Sequence, residues 1–155
     1  MYEWMSWLTL LLLAQWFFGN LYEAVALVPN LMSIIEMKSR TGEALFKTKA
    51  ASPVAYYLPA GALALALVVV LTVTGCLQHR SGMPYIISAC VFLFTGGAIT
   101  FYIVRSISLP LFFKPQMDLA RTSKLIEKWR MLNYVRLSFA GASMITVILW
   151  IRTII

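Results

Sequence analysis

The chain has 155 residues, of which 61% are hydrophobic and only 12% are charged. Soluble domains are about 45–50% apolar and about 25% charged, so the composition excludes a disordered chain, a coiled coil, a nucleic-acid-binding domain and almost any soluble enzyme. The formal net charge of +7 comes from basic residues that lie mostly between long apolar blocks. The lipid bilayer is therefore the expected solvent.

Four apolar blocks follow one another, at about residues 4–35, 54–77, 84–113 and 132–151. Each reaches the ~20 residues that a helix needs to cross ~30 Å of hydrocarbon, and continuous runs favour helices over barrel strands. We expect Pro29 to kink or end the first span. The charged stretch 118–130 is compatible with a helix, which would start the fourth helix below the membrane. The sequence thus predicts a single transmembrane domain over residues 1–155, an all-α bundle of four helices running up and down.

The positions of Lys and Arg predict the orientation. Four lie between the first and second blocks and five between the third and fourth, against Arg80 alone in the second connection and Arg152 near the C-terminus. The positive-inside rule places residues 36–53 and 114–131 in the cytoplasm, so both termini face outward. We expect an integral protein of the bacterial inner (plasma) membrane whose partner is the lipid bilayer, and no nucleic acid is needed to explain the basic residues.

Polar residues inside the blocks share one depth. At ~1.5 Å per helical residue, Glu23 late in the first helix, Arg105 late in the third and Arg136 early in the fourth all fall in the cytoplasmic half. Asn20 lies one turn from Glu23, and Asn133 lies one turn from Arg136. We therefore expect Glu23 to lie within salt-bridge reach of Arg136 or Arg105.

An ionisable residue inside a span costs ~2.5–3.5 kcal/mol on insertion scales and is a functional-site hypothesis by default. Two arginines against one glutamate would leave a positive pocket suited to an anionic or enolate-like guest. Glu23, Arg105 and Arg136 are the predicted catalytic residues. The predicted substrate-binding residues are Asn20, Tyr56, Tyr57 and Asn133. An ion pair that only ties helices together and a transport pathway are the alternatives.

No metal or cofactor is predicted. His79 is the single histidine, so a haem or a multi-histidine metal site has no ligand set.

Several motifs resemble the anthrone-oxygenase-like family of integral membrane proteins. They are Gly19-Asn20-Leu21-Tyr22-Glu23 followed by Val28-Pro29, Ser52-Pro53 before the second helix, Ser108-Leu109-Pro110-Leu111 after a Gly-rich third helix, and Trp129-x-x-x-Asn133-x-Val135-Arg136. The last is similar to the W-x-x-x-N-x-x-R of that family. Its spacing of i, i+4 and i+7 predicts one helical face, with Trp129 anchored at the membrane interface and the other two side chains inside the bundle.

The resemblance implies a four-helix membrane fold and, in characterised branches, cofactor-free oxidation of a polyketide anthrone to a quinone. Such chemistry needs a base and cations that hold an oxyanion, roles that Glu23, Arg105 and Arg136 would fill. A second resemblance, carried by Asn20-x-x-Glu23, is to the membrane-associated eicosanoid and glutathione metabolism family, and it implies a glutathione-transferase-like enzyme.

Three functions remain open at this point. The first is oxidation or binding of a hydrophobic, acidic or enolisable small molecule. The second is a non-enzymatic structural or accessory membrane subunit, and the third is the glutathione-transferase-like enzyme. A homo-oligomer is compatible with the sequence, which does not decide the oligomeric state.

Overall fold

A computed structural model describes residues 2–31, 53–79, 81–113 and 119–155 of the protein, without the side chains of residues 53–58, 112, 113 and 119. Within these ranges the chain is almost entirely helical and contains no β-strand. The elements in chain order are α1 (Tyr2–Tyr22), the π-helical segment π1 (Glu23–Leu27), α2 (Pro53–Leu77), α3 (Met83–Ile103), the π-helical segment π2 (Val104–Ser108), α4 (Leu109–Phe113) and α5 (Leu119–Ile154).

Four helical stretches are long and apolar enough to cross a membrane, namely Tyr2–Leu31, Pro59–Leu77, Met83–Leu111 and Ala120–Ile154. Large apolar side chains also cover their outer faces: Leu11, Phe18 and Phe101 are each more than 60% exposed. A helix that is apolar on all sides suits a lipid environment, because water would penalise its outer face. The predicted all-α fold with four membrane-length helices is confirmed for the described residues.

Three prolines, Pro29, Pro59 and Pro110, lie within helical stretches, and a π-helical segment precedes the first and the last of them. The backbone stays helical through Pro29 as far as residue 31, where this described range ends, so the expected kink or end of the first span stays a prediction. The segment π1 precedes Pro29, and its last turn closes with a bond from the Val28 N–H to the Glu23 carbonyl. The segment π2 precedes Pro110 in the same way, with the Leu109 N–H donating to the Val104 carbonyl. The wider hydrogen bonds of each π-helical segment satisfy backbone groups in the turn before a proline, which has no N–H to donate.

The helix α5 is one continuous element of 36 residues. At ~1.5 Å per residue it is about 54 Å long, which exceeds the ~30 Å hydrocarbon thickness of a bilayer. The charged stretch is therefore part of the fourth helix, as predicted, and the predicted connection at 114–131 is helical from residue 119 onward.

The four long helices surround two apolar cores. The helix α1 packs against α2 and α5, α5 also packs against α3, and the seam between α2 and α3 is less extensive. One core lies towards both termini and includes Leu13, Trp16, Val68, Leu93, Val147 and Trp150. The other joins the end of the first span, the end of the third and the start of α5, and comprises Val28, Leu31, Ile103, Ile107, Leu111, Ile126 and Trp129. A layer of buried polar side chains separates the two cores.

Candidate functional site

The polar layer is formed by α1 with π1, by α3 and by α5. Asn20 and Asn133 are fully buried, Glu23 and Arg136 are each 2% exposed, and Thr100 is 6% exposed. Each helix carries its polar residues between members of the two cores. On α1 and π1 they follow Trp16 and precede Val28, so the order of apolar and polar positions along each helix brings the polar groups to one level.

Arg136 contacts three other side chains of this layer. Its Nη2 donates to the Glu23 carboxylate in a buried salt bridge and to Asn133 Oδ1 at 2.7 Å. Its Nη1 lies 3.4 Å from Thr100 Oγ1, and that hydroxyl donates to the Gly96 carbonyl at 2.9 Å. One guanidinium therefore connects three of the four long helices through two of its nitrogens.

The predicted pairing of Glu23 with Arg136 is confirmed by this salt bridge. Both side chains lie in an environment where charge is expensive, and removing one partner of a buried pair costs about 3–5 kcal/mol because the other charge is left uncompensated. The pair therefore resists any rearrangement that does not supply a replacement charge. A ligand that carries an anionic group can supply one to Arg136.

Several buried polar atoms in the layer have no hydrogen-bond partner among the described residues. They are both side-chain amide atoms of Asn20, the Nδ2 of Asn133 and the Nε of Arg136. An unsatisfied buried polar group costs about 1–3 kcal/mol. Four such atoms around one ion pair indicate a demand for further partners, which water or the polar group of a guest can meet.

Arg105 lies outside this layer. It is exposed, whereas Ile103 and Ile107 on either side of it are 1% exposed and belong to a core. At about 100° per helical residue, a position midway between two inward-facing residues faces outward. Arg136 thus satisfies the prediction for Glu23, and the expected pocket of two arginines against one glutamate is not formed by the described residues. Residue count predicted the depth of Arg105 in the span, but it did not predict the helix face on which Arg105 lies.

The remaining predicted residues fall into two groups. Asn20 and Asn133 lie in the buried layer, as described above. The side chains of Tyr56 and Tyr57 lie outside the described residues, so their predicted role stays a prediction.

The face predicted from the Trp129, Asn133 and Arg136 spacing is confirmed, because all three side chains are buried. Trp129 does not face the lipid, and its predicted depth at the membrane interface stays a prediction. Trp129 is 1% exposed and packs in the apolar core with Val28, Ile107 and their neighbours. The helix α5 continues past it to residue 119, so position 129 lies well inside a helix that packs against the others.

A groove of about 550 Å3 opens beside the polar layer, along the seam between α2 and α3. Its volume falls within the ~300–1,000 Å3 of typical small-molecule sites. Phe94 and Phe101 on its wall are 56% and 65% exposed, so it opens on the outer surface of the bundle. The described residues that line it are Trp16, Gly61, Ala62, Leu65, Leu93, Phe94, Gly97, Ala98, Thr100, Phe101 and Val104.

Trp16 forms part of the groove because two glycines make room for its indole. A Cβ at Gly61 on α2 or at Gly96 on α3 would come within 2.8 Å of an indole carbon, which is closer than real Cβ contacts. At Gly97, by contrast, a Cβ would meet nothing within 4 Å, because that residue faces the open groove. Small residues on two helices thus let a large side chain of a third lie between them.

Thr100 connects the groove with the polar layer, because it lines the former and contacts Arg136 in the latter. Sequence reasoning missed both Thr100 and Trp16. A threonine that bonds to the carbonyl four residues earlier is ordinary in a transmembrane helix, and a tryptophan in an apolar block gives no sign of which helices it touches. The available signal was that Thr100 is a polar residue in the third block, five residues before Arg105.

The chemistry of the site is thus a cation, a carboxylate, two amides and a hydroxyl at the edge of an apolar groove. No family model matches this chain, and no curated protein and no solved structure is similar enough to match it. The resemblances found in the sequence accordingly stay predictions.

Proposed function

We propose that this integral membrane protein binds a hydrophobic small molecule with an acidic or enolisable group, using the groove and the polar layer together. The observation that carries the proposal is the set of unpartnered buried atoms at Asn20, Asn133 and Arg136, directly behind a groove wall that shares Thr100 with them. The apolar body of the molecule occupies the groove. Its polar group reaches the layer past the hydroxyl of Thr100.

The layer supplies what acid–base chemistry on such a molecule requires. The Glu23 carboxylate accepts a proton from an enolisable carbon, and the Arg136 guanidinium holds the oxyanion that results. For this step the salt bridge between them opens, and the substrate oxyanion takes the place of the carboxylate on Arg136. The resemblance to the anthrone-oxygenase-like family adds a cofactor-independent oxidation by molecular oxygen as the reaction to test, in which anthrone and O2 give anthraquinone and water.

The proposal includes an orientation. We place residues 36–53 and the start of α5 in the cytoplasm and both termini outside, in a bacterial inner membrane, with the four helices running up and down. The distribution of Lys and Arg supports this orientation. The polar layer then lies in the cytoplasmic half of the bilayer.

A structural or accessory subunit is the second candidate, and the closed Glu23–Arg136 salt bridge favours it. In that case the layer joins three helices and binds nothing. The two candidates differ in what a conservative change at Arg136 does. A salt bridge that only joins helices depends on charge and tolerates lysine. A binding site that uses two N–H donors of the arginine guanidinium loses its ligand when lysine replaces it.

Native mass spectrometry of gently extracted protein tests the proposal, first for a co-purified small molecule and then with added anthrone, an enolisable ketone. Anthrone is expected to bind to the wild type, and Arg136→Lys is expected to lose binding while the helical circular dichroism stays unchanged. Arg152→Lys is the matched control, because Arg152 is exposed near the C-terminus. Conversion of anthrone to anthraquinone without added cofactor would establish the enzyme.

Two results contradict the proposal. If anthrone binds equally well to the wild type and to Arg136→Lys, Arg136 has only the structural role of joining the helices. Binding of glutathione in place of anthrone supports the transferase-like alternative.

A further inference from the structure

Arg105 is a cation on the outer surface of a membrane-length helix. It lies within the stretch Met83–Leu111 and is exposed. Among the described residues it has neither a hydrogen bond nor an ion pair. A charged side chain at such a position is expensive in hydrocarbon and normally marks a ligand or a partner charge. The buried layer does not use Arg105, so its counter-charge must come from elsewhere.

The groove ends next to Arg105. Phe94, Ala98 and Phe101 line it, and Arg105 continues their series at the spacing i, i+4, i+7 and i+11 of one helical face. Val104, the last lining residue in the sequence, directly precedes Arg105. All four residues of the series are exposed. The apolar groove thus leads along the surface of α3 to the guanidinium of Arg105, at the end of the helix that the proposed orientation places in the cytoplasm.

The groove is elongated. Its lining on α3 runs from Leu93 to Val104, which at ~1.5 Å per residue is about 16 Å. Glycine and alanine form much of both walls, and the indole of Trp16 lies at the base between the two helices. An apolar groove that runs about 16 Å along α3 can hold an extended hydrocarbon chain.

A second cation lies near the same end of the groove. Lys128 Nζ on α5 is 2.5 Å from the hydroxyl of Tyr102 and 4.9 Å from the centre of its ring. Tyr102 precedes Arg105 by three residues, so Lys128 on α5 contacts the turn of α3 that comes directly before Arg105. The field at this end of the groove therefore favours an anion.

We infer that the groove binds a long-chain fatty acid, with its hydrocarbon chain along Phe94, Ala98 and Phe101 and its carboxylate on Arg105. This inference rests on the proposed function only in taking the groove as the ligand site; it names a class of ligand whose acidic head lies on Arg105, outside the polar layer. The planar guanidinium fork matches a carboxylate with two parallel hydrogen bonds. A fatty acid also reaches the groove sideways from the bilayer, so no aqueous entrance is required.

The experiment compares palmitic acid with hexadecanol, which has the same chain without the charge. Binding of each probe to full-length protein in detergent is measured by native mass spectrometry at mildly alkaline pH, where the acid is ionised. An interfacial Lys or Arg contributes on the order of 1 kcal/mol with an anionic headgroup, so the acid is expected to bind about fivefold more tightly than the alcohol. Arg105→Gln is expected to abolish this preference and Arg105→Lys to retain part of it, with Arg152→Gln as the matched control.

A second variant separates the inference from the proposed function. Gly97→Leu puts a side chain into the open groove, so it is expected to weaken binding of both probes by at least tenfold, roughly the loss from displacing a few methylene groups. Equal affinities of the wild type for the two probes, or a preference that survives in Arg105→Gln, overturn the fatty-acid inference alone. Unchanged binding of both probes and of anthrone in Gly97→Leu overturns the groove as the ligand site and the proposed function with it. A phospholipid that stays bound and is not displaced by palmitic acid also overturns the inference.

Discussion

Removing the charge of Glu23 tests whether the buried salt bridge holds three helices together. In Glu23→Leu the Arg136 guanidinium keeps its bond to Asn133 but loses its counter-charge at a position only 2% exposed. We expect the free energy of unfolding to fall by about 3–5 kcal/mol, the cost of leaving one member of a buried pair alone. Arg136→Met is expected to cost a similar amount, because it leaves the Glu23 carboxylate alone.

The double variant Glu23→Leu with Arg136→Met decides the interpretation. Replacing both members of a buried pair by apolar residues is often neutral or stabilising, so the double variant is expected to be more stable than either single variant. The difference between its loss and the sum of the single losses is the coupling energy, expected to be above about 3 kcal/mol. Such a value means that the cost lies in the unpaired charge and not in the volume of either side chain.

The assay is unfolding in detergent followed by helical circular dichroism, with the four proteins measured under one condition. Glu127→Leu is the control, because Glu127 is an exposed carboxylate on α5, and it is expected to change stability by about 0.5 kcal/mol or less. Additive losses in the double variant, or a Glu23→Leu loss no larger than that of the control, would refute the reasoning and mean that water or lipid headgroups reach the pair.

Two further predictions concern topology and packing. In a cysteine-free background, a membrane-impermeant thiol reagent applied from outside is expected to label a cysteine at Ser81 and not one at Thr48, because the basic connection is placed inside; the reverse pattern contradicts the orientation. Gly96→Ala is expected to destabilise the protein by about 1–3 kcal/mol, since its Cβ would lie 2.8 Å from the indole of Trp16 and overpacking costs that much. Gly97→Ala is the matched control and is expected to change stability by about 0.5 kcal/mol or less, so equal losses in the two variants would show that Trp16 moves freely.

The π-helical segments were not predictable from the residues in them. The sequence shows Pro29 and Pro110, and a proline in a helix is expected to break one hydrogen bond and clash with the preceding turn. Whether the helix then ends, bends or widens depends on whether neighbouring helices hold the next turn in place. Here Val28, Ile107 and Ile126 share one apolar core, so the helices continue beyond each wide turn and keep their apolar faces buried.

The amino-acid sequence by itself determined the all-helical class of this protein, its four membrane-length helices and the common level of Glu23 and Arg136. Composition and run length decide the first two, because hydrocarbon admits only long apolar helices or closed barrels. Depth follows from residue count, since every helical residue adds about the same rise. The shared face of Asn133 and Arg136 followed in the same way from helical periodicity.

Only the tertiary structure decided which charge meets Glu23 and where a groove opens. Arg105 and Arg136 were both predicted to lie with Glu23, yet one is exposed and the other buried. The rotation of a helix about its own axis is set by packing against neighbours that are distant in sequence, and no local pattern in a uniformly apolar block specifies it. The groove depends likewise on Trp16 lying between glycines of two other helices, an arrangement that exists only once all three helices have packed.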